Sequence, residues 1–152
     1  MFGRSFSTAL AVLLAVCGHR AALAADPAPL GTWTTIDDVS HRARSLVEIT
    51  QADGVLSGRI VRLFPAAGED PDPRCVDCRG ERHNQPVLGM TILRNLRRHG
   101  DHWDGGEILD PESGDIYRVT LHPEPGGGRL EVRGYIGFPL LGRTQIWERT
   151  AP

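Results

Sequence analysis

Turn residues divide the chain into short segments in which apolar and polar side chains alternate. Leu56 and Ile60, for example, fall on one face of the segment 55–64, and polar side chains fall on the other. A period of two is typical of a β-strand with one buried face, and no comparable helical pattern competes with it. The pattern therefore predicts an all-β protein of about eight strands, at residues 30–36, 45–50, 55–64, 88–93, 102–109, 115–121, 129–136 and 143–149.

Most of these segments are joined by tight turns, which favours an antiparallel meander. Asp53-Gly54 is a strong hairpin signal, and the segment 110–114 carries proline early and glycine at its end. A meander of eight strands can close on itself and so remove its exposed edges. A barrel of this size holds its own side chains or one small ligand. The residues expected to point inward are Trp33, Val47, Ile60, Tyr117, Val119, Leu130, Val132 and Ile146.

A proline-rich insert at residues 65–86 interrupts the meander and carries Cys75 and Cys78. Covalent haem attachment requires histidine after the second cysteine, and Arg79 occupies that position. A zinc site requires two further ligands, and a redox pair requires a helix start in a βαβ unit. The spacing favours a structural disulfide, with metal binding and redox activity left as alternatives.

The N-terminal residues 1–24 have the organisation of a secretory signal peptide. Arg4 supplies positive charge, residues 9–16 are apolar, and small residues precede a cleavage point after Ala24. The apolar run is shorter than the roughly 20 residues that span a bilayer. A lipoprotein signal ending at Cys17 is disfavoured because Val16 is branched. We expect a periplasmic or secreted protein with one domain at residues 25–152 and no transmembrane segment.

The charge balance argues against a nucleic-acid partner. All 17 basic residues are arginine, and removal of the signal segment leaves 15 of them against 19 acidic residues. Nucleic-acid binding favours a basic surface, which this balance does not provide. The sequence also has no lysine, so catalysis through a lysine Schiff base is excluded. We expect no cofactor, and the oligomeric state stays open.

Several motifs occur in order along the chain: Gly31 to Asp38, Asp53 to Ile60, Cys75-x-x-Cys78, Gly89 to Leu93, Gly106 to Tyr117, Leu130 to Gly137 and Gly142 to Trp147. Together they resemble one known family, the small exported bacterial proteins called domain of unknown function 2147. The resemblance implies export and a single compact domain, and it assigns no activity, cofactor or catalytic residue.

The Gly31-Thr32-Trp33 motif on the first strand is also similar to the start of lipocalin-like barrels. In those barrels an arginine of the last strand stacks over the tryptophan, a role that Arg143 or Arg149 would take here. An arginine plane over an indole face contributes about 0.5–1 kcal/mol when exposed.

The main functional hypothesis is non-catalytic binding of an apolar or amphipathic small molecule in the barrel, or support of the cell envelope. An arginine inside a small barrel needs a partner, such as a ligand carboxylate or Glu148. Strand alternation favours an outward position for Arg133, which stays among the candidates. The candidate ligand-binding residues are Trp33, Tyr117, Tyr135, Arg133 and Arg143.

Two other functions compete with ligand binding. Glu107 and Asp110 lie close together on one hairpin, as the two carboxylates of a hydrolytic enzyme would. A carboxylate at the start of a turn more often caps backbone N–H groups, so we assign no catalytic residue. The insert 65–86 could instead act as a protein-interaction module. The histidines lie in or beside predicted turns without a paired motif, so we expect no metal site: His41, His83, His99, His102 and His122.

Overall fold

The computed structural model describes residues 28–150, so the predicted signal segment at residues 1–24 lies outside the described part. Residues 28–150 form a closed antiparallel barrel in which every strand pairs with its sequence neighbours and the last strand pairs with the first. This confirms the predicted all-β, eight-stranded meander. The strands are β1 (Gly31–Ile36), β2 (Ala43–Ala52), β3 (Val55–Leu63), β4 (Thr91–His99), β5 (His102–Leu109), β6 (Ile116–Pro123), β7 (Arg129–Tyr135) and β8 (Arg143–Arg149).

The predicted alternation holds along most strands. In β2, for instance, Ser45, Val47 and Ile49 are buried, whereas the residues between them are more exposed. Successive side chains of a strand point to opposite faces, so one set fills the barrel and the other meets solvent. No helix within residues 28–150 has the length and hydropathy needed to cross a membrane.

The fourth strand begins and ends later than the predicted 88–93. The N–H of Met90 donates to the carbonyl of Val87 at 3.1 Å, and Gly89 has φ +86°, so these residues form a turn. The strand then continues to His99 through several arginines. Charged residues suit a strand whose outer face meets solvent, and the prediction gave too little weight to that face.

The prediction that Ile146 points inward was wrong by one residue. Trp147 is 1% exposed, and its register partner on β7 is the buried Leu130. Ile146 is opposite Glu131, so this pair occupies the outer face. Tyr117, also expected inside, is only partly buried.

A contact between the first and last strands closes the barrel. Trp33 is fully buried, its indole N–H donates to the Pro29 carbonyl at 2.9 Å, and the Arg149 guanidinium lies 4.2 Å from the ring centroid. Arg149 also donates to the carbonyls of Leu30 and Gly127. A Cβ on Gly31, which has φ +107°, would lie 3.0 Å from Arg149. Arg149 therefore stacks over the tryptophan, as the lipocalin resemblance implied, and links the start of β1 to the β6–β7 turn.

The two ends of the barrel differ in packing. Short turns at 53–54, 100–101 and 124–128, together with residues 28–30, cover one end, which we call the closed end. The loops 37–42, 64–90, 110–115 and 136–142 surround the other end, which we call the mouth. The closed end is filled by the fully buried side chains Trp33, Trp103, Leu56, Leu96, Leu121 and Leu130.

Replacing Arg149 by alanine is expected to lower the free energy of unfolding by about 1–2 kcal/mol, because a cation–π contact and two hydrogen bonds from a charged donor are lost. Urea unfolding followed by tryptophan fluorescence measures the change. The matched control is Arg129→Ala, since Arg129 is exposed and lies 3.7 Å from Glu124 in a surface ion pair. That variant should lose less than about 0.5 kcal/mol, and equal losses in both would contradict the closing role of Arg149.

Candidate ligand cavity

A cavity of about 930 Å³ opens at the mouth of the barrel. Its size lies within the range of about 300–1,000 Å³ typical of small-molecule sites. All four mouth loops contribute to it, and the closed end does not. The inner wall is apolar and is formed mainly by Ile60, Leu63, Val87, Ile92, Ile108, Leu109, Val132 and Trp147.

A chain of polar groups leads from Trp147 to the rim of the cavity. The Trp147 indole N–H donates to the Gln145 side-chain oxygen at 3.2 Å. The Gln145 amide in turn donates to the Asp38 carboxylate at 3.4 Å, and Arg143 pairs with the same carboxylate. These contacts fix the orientation of the amide, so one side of the cavity presents an ordered polar strip beside apolar walls.

Arg44 joins three elements at another part of the rim. It lies on β2 and pairs with Glu69 of the insert at 2.9 Å and with Glu112 of the 110–115 loop. Hydrogen bonds from the Ala66 N–H and from Arg44 hold the pKa of the Glu69 carboxyl below its usual value. Hydrogen bonds to Glu112 and Glu69 raise the pKa of Arg44. Arg44 therefore anchors two mouth loops to the barrel wall.

Tyr117 lies in the wall near the 110–115 loop. Its hydroxyl donates to the Asp115 carboxylate at 3.4 Å. Burial raises the pKa of Tyr117, and the nearby carboxylates of Asp115 and Asp110 raise it further. The phenol therefore remains neutral across the physiological pH range and offers a hydrogen-bonding group at the cavity.

The insert 65–86 is fixed to the mouth at several points. Cys75 and Cys78 form the predicted disulfide and are both buried. Gly114 has φ +74°, and a Cβ there would lie 2.3 Å from the carbonyl oxygen of Asp77, so only glycine allows this approach. Arg82 lies 3.6 Å from Glu107 of β5. The insert therefore forms part of the cavity wall.

Three of the five sequence-predicted ligand residues line the cavity: Tyr117, Tyr135 and Arg143. Trp33 lies outside the lining, buried at the closed end beneath Arg149. Arg133 is also outside the lining and donates to the Pro139 carbonyl and the Thr144 hydroxyl, each at 2.7 Å. Strand alternation had favoured this outward position.

The structure separates the two carboxylates considered for hydrolysis. Glu107 pairs in register with the exposed Arg118 and lies beside Arg82, outside the cavity. Asp110 lines the cavity and accepts a hydrogen bond from the Glu112 N–H at 2.9 Å, as a turn-capping aspartate does. The two side chains therefore face different surfaces.

Sequence reasoning missed Arg44, Gln145 and Trp147 as cavity residues. The alternation of β8 contained a usable signal, since Arg143, Gln145 and Trp147 are spaced two apart. No local signal marks Arg44, because its partners Glu69 and Glu112 are 25 and 68 residues away.

The comparisons with known proteins agree with this architecture. A family described as "Uncharacterized protein conserved in bacteria (DUF2147)" matches residues 31–149, so the chain belongs to this family. No curated protein matches the chain. Among solved structures, the chain is similar to the Helicobacter pylori protein HP1028, described as belonging to the lipocalin family. The identity is 19%, the TM-score is 0.69, and the match covers 82% of this chain and 84% of the other. At that identity the likeness supports the lipocalin-like fold.

Replacing Arg44 by glutamine should raise the pKa of Glu69 while leaving it below 4.5, because the Ala66 N–H still donates to the carboxylate. A carboxyl whose pKa is lowered in the folded state contributes stability above its unfolded pKa. That contribution is lost as the pH falls through the folded pKa. Carbon-detected NMR titration of the Glu69 carboxyl measures both values.

The control for this titration is Arg59→Gln, because Arg59 pairs with Glu48 at 3.9 Å on an exposed surface away from the rim. It should leave the Glu69 titration unchanged. A Glu69 pKa that does not respond to loss of Arg44 would show that the rim contact is absent in solution.

Proposed function

We propose that this protein binds one small amphipathic molecule, with its apolar part inside the barrel and its polar part at the mouth. The observation that carries the proposal is the cavity of about 930 Å³, whose inner wall is apolar and whose rim carries arginines and carboxylates. Ligand sites typically combine such apolar walls with a few oriented polar groups.

The division between wall and rim indicates which part of a ligand each surface receives. Ile60, Ile92 and Val132 are each at most 5% exposed, so they offer a dry surface below the mouth. The side chains of Arg44 and Arg143 lie at the rim, where each forms an ion pair with a carboxylate. A purely apolar ligand would leave these polar groups unused, whereas an amphipathic one satisfies both regions.

The 136–142 loop presents exposed apolar side chains at the mouth of the barrel, which favours a ligand with an apolar part. Ile136, Phe138, Leu140 and Leu141 are 70, 74, 90 and 81% exposed. Ile136 and Leu141 also line the cavity. A cluster of exposed apolar side chains commonly marks an interaction site, whereas single exposed apolar residues do not. Through Ile136 and Leu141 this exposed apolar surface adjoins the cavity.

Export is part of the proposal. The signal-like residues 1–24 precede the barrel, and the Cys75–Cys78 disulfide suits an oxidising compartment. We place the protein in the periplasm or outside the cell, where an amphipathic ligand of the cell envelope would be available to it.

Filling the cavity tests the binding proposal directly. Gly134 lines the cavity, and a Cβ there would lie at an ordinary 3.6 Å from Ile108 and Tyr117. Gly134→Leu should therefore fold and place its side chain in the ligand space. Medium-chain and long-chain fatty acids are titrated into the full-length chain and followed by thermal unfolding. Wild-type protein at a ligand concentration of 100 Kd should gain about 2.7 kcal/mol, and Gly134→Leu should bind at least ten times more weakly.

The matched control is Gly128→Leu, the same substitution at an exposed closed-end turn where a Cβ would meet open space. It should bind as the wild type does. Fatty alcohols of equal chain length test the contribution of the headgroup. Failure of every amphiphile to stabilise the wild type, or unchanged binding by Gly134→Leu, would refute the proposal.

Export has its own test. When the full chain is expressed in a Gram-negative host, the soluble periplasmic fraction should contain a form that begins at Ala25. Intact-mass measurement identifies the cleavage point, and Ala24→Arg serves as the variant that should block processing. A full-length product retained in the cytoplasm would contradict export.

A further inference from the structure

At the closed end, far along the barrel from the cavity, several histidines and aspartates gather on the outer surface. His102 and Asp104 are two residues apart on β5, where the intervening Trp103 points into the core. His99 is the register partner of His102 across the β4–β5 hairpin. The ring of His122, on β6, stacks on His102 with centroids 4.9 Å apart. Three adjacent strands therefore bring together residues that are distant in sequence.

We propose that His99, His102 and Asp104 form a binding site for a divalent transition-metal ion of the zinc class. One ligand atom from each residue lies within 4.8 Å of the other two. Imidazole nitrogen and carboxylate oxygen are common zinc donors, and three protein ligands leave a fourth position for water or another group.

The spacing of the donor atoms suits zinc. His102 Nε2 and Asp104 Oδ2 are 3.4 Å apart. Two donors about 2.0–2.1 Å from a tetrahedral zinc ion are about 3.4 Å apart, so the spacing of this pair matches that of two zinc ligands. His99 Nδ1 is in direct contact with the other oxygen of Asp104. A bound ion would take the place of this direct contact between the two ligands.

Asp101 orients the central histidine. Its carboxylate lies 3.0 Å from His102 Nδ1, and the other ring nitrogen, Nε2, faces Asp104. A carboxylate behind a ligating histidine is the usual outer partner in zinc sites. The His122 ring packs against the other side of His102 and restricts its rotation.

The site is accessible to an ion from solvent. The side chains of His102 and Asp104 are each 29% exposed, and that of His99 is 62% exposed. A bound ion would link β4 to β5 at the end of the barrel opposite the mouth. This inference is independent of the proposed ligand cavity.

Isothermal titration of the full chain with Zn²⁺, after removal of any polyhistidine tag, tests the site. We expect one Zn²⁺ per chain and a rise in the unfolding temperature. His102→Ala should weaken binding more than a hundredfold, and Asp101→Asn about tenfold, as for an outer partner. Mg²⁺, which prefers oxygen ligands in octahedral geometry, should not bind detectably.

His41→Asn is the matched control, because His41 is an exposed histidine at the mouth whose φ of 55° asparagine tolerates. It should bind Zn²⁺ as the wild type does. Far-UV circular dichroism verifies that each variant folds. If His102→Ala does not fold, Asp104→Asn provides a second variant of a proposed ligand. The proposal is overturned if the wild type binds no Zn²⁺, if the ligand variants bind as tightly as the wild type, or if His41→Asn loses binding equally.

Discussion

The stacking of Arg149 on Trp33 is the contact on which the closed barrel depends. Trp33 pairs with Arg149 and Thr34 with Glu148, and the Thr150 N–H donates to the Thr32 carbonyl at 3.0 Å, so the backbone ladder at this seam is short. Arg149 compensates by covering the indole face at 4.2 Å and by bonding to the carbonyls of Leu30 and Gly127. An aromatic side chain of this size contributes strongly to core energetics. The seam therefore combines a buried ring, a cation and two backbone carbonyls in one place.

Fixing the closed end allows the mouth to remain open. Side chains that would fill the barrel are concentrated below Trp147, where Trp33, Leu56 and Leu121 are fully buried. Above Trp147 the wall includes Gly134, which contributes no side chain, and the loops carry much of the lining. Arg44 and the Cys75–Cys78 disulfide help to hold the mouth loops in place. The closed end thus contains the tightly packed core, and the mouth contains the open volume.

The sequence was sufficient to predict the strands, because alternation and turn chemistry are local. The Asp53-Gly54 hairpin and the bounds of β5 and β8 follow directly from such patterns. The cavity was harder to predict, since its rim brings Arg44 to Glu112 across 68 residues. The histidine cluster differs, because the proposed ligands His99, His102 and Asp104 lie within one short stretch of the sequence. The stacked His122, by contrast, comes from a distant segment and reaches His102 through β5–β6 pairing. The sequence prediction passed over these ligands because it assigned the histidines to turns and found no paired motif.

Intermolecular NOEs between a bound fatty acid and isotopically labelled methyl groups test most directly whether the open volume at the mouth is the ligand site. The account predicts contacts from the acyl chain to Ile60, Ile92 and Val132, whose side chains line the cavity. It predicts none to Leu96 or Leu121, which are fully buried at the closed end. Acyl contacts confined to the exposed 136–142 loop, with the inner methyl groups unaffected, would contradict it.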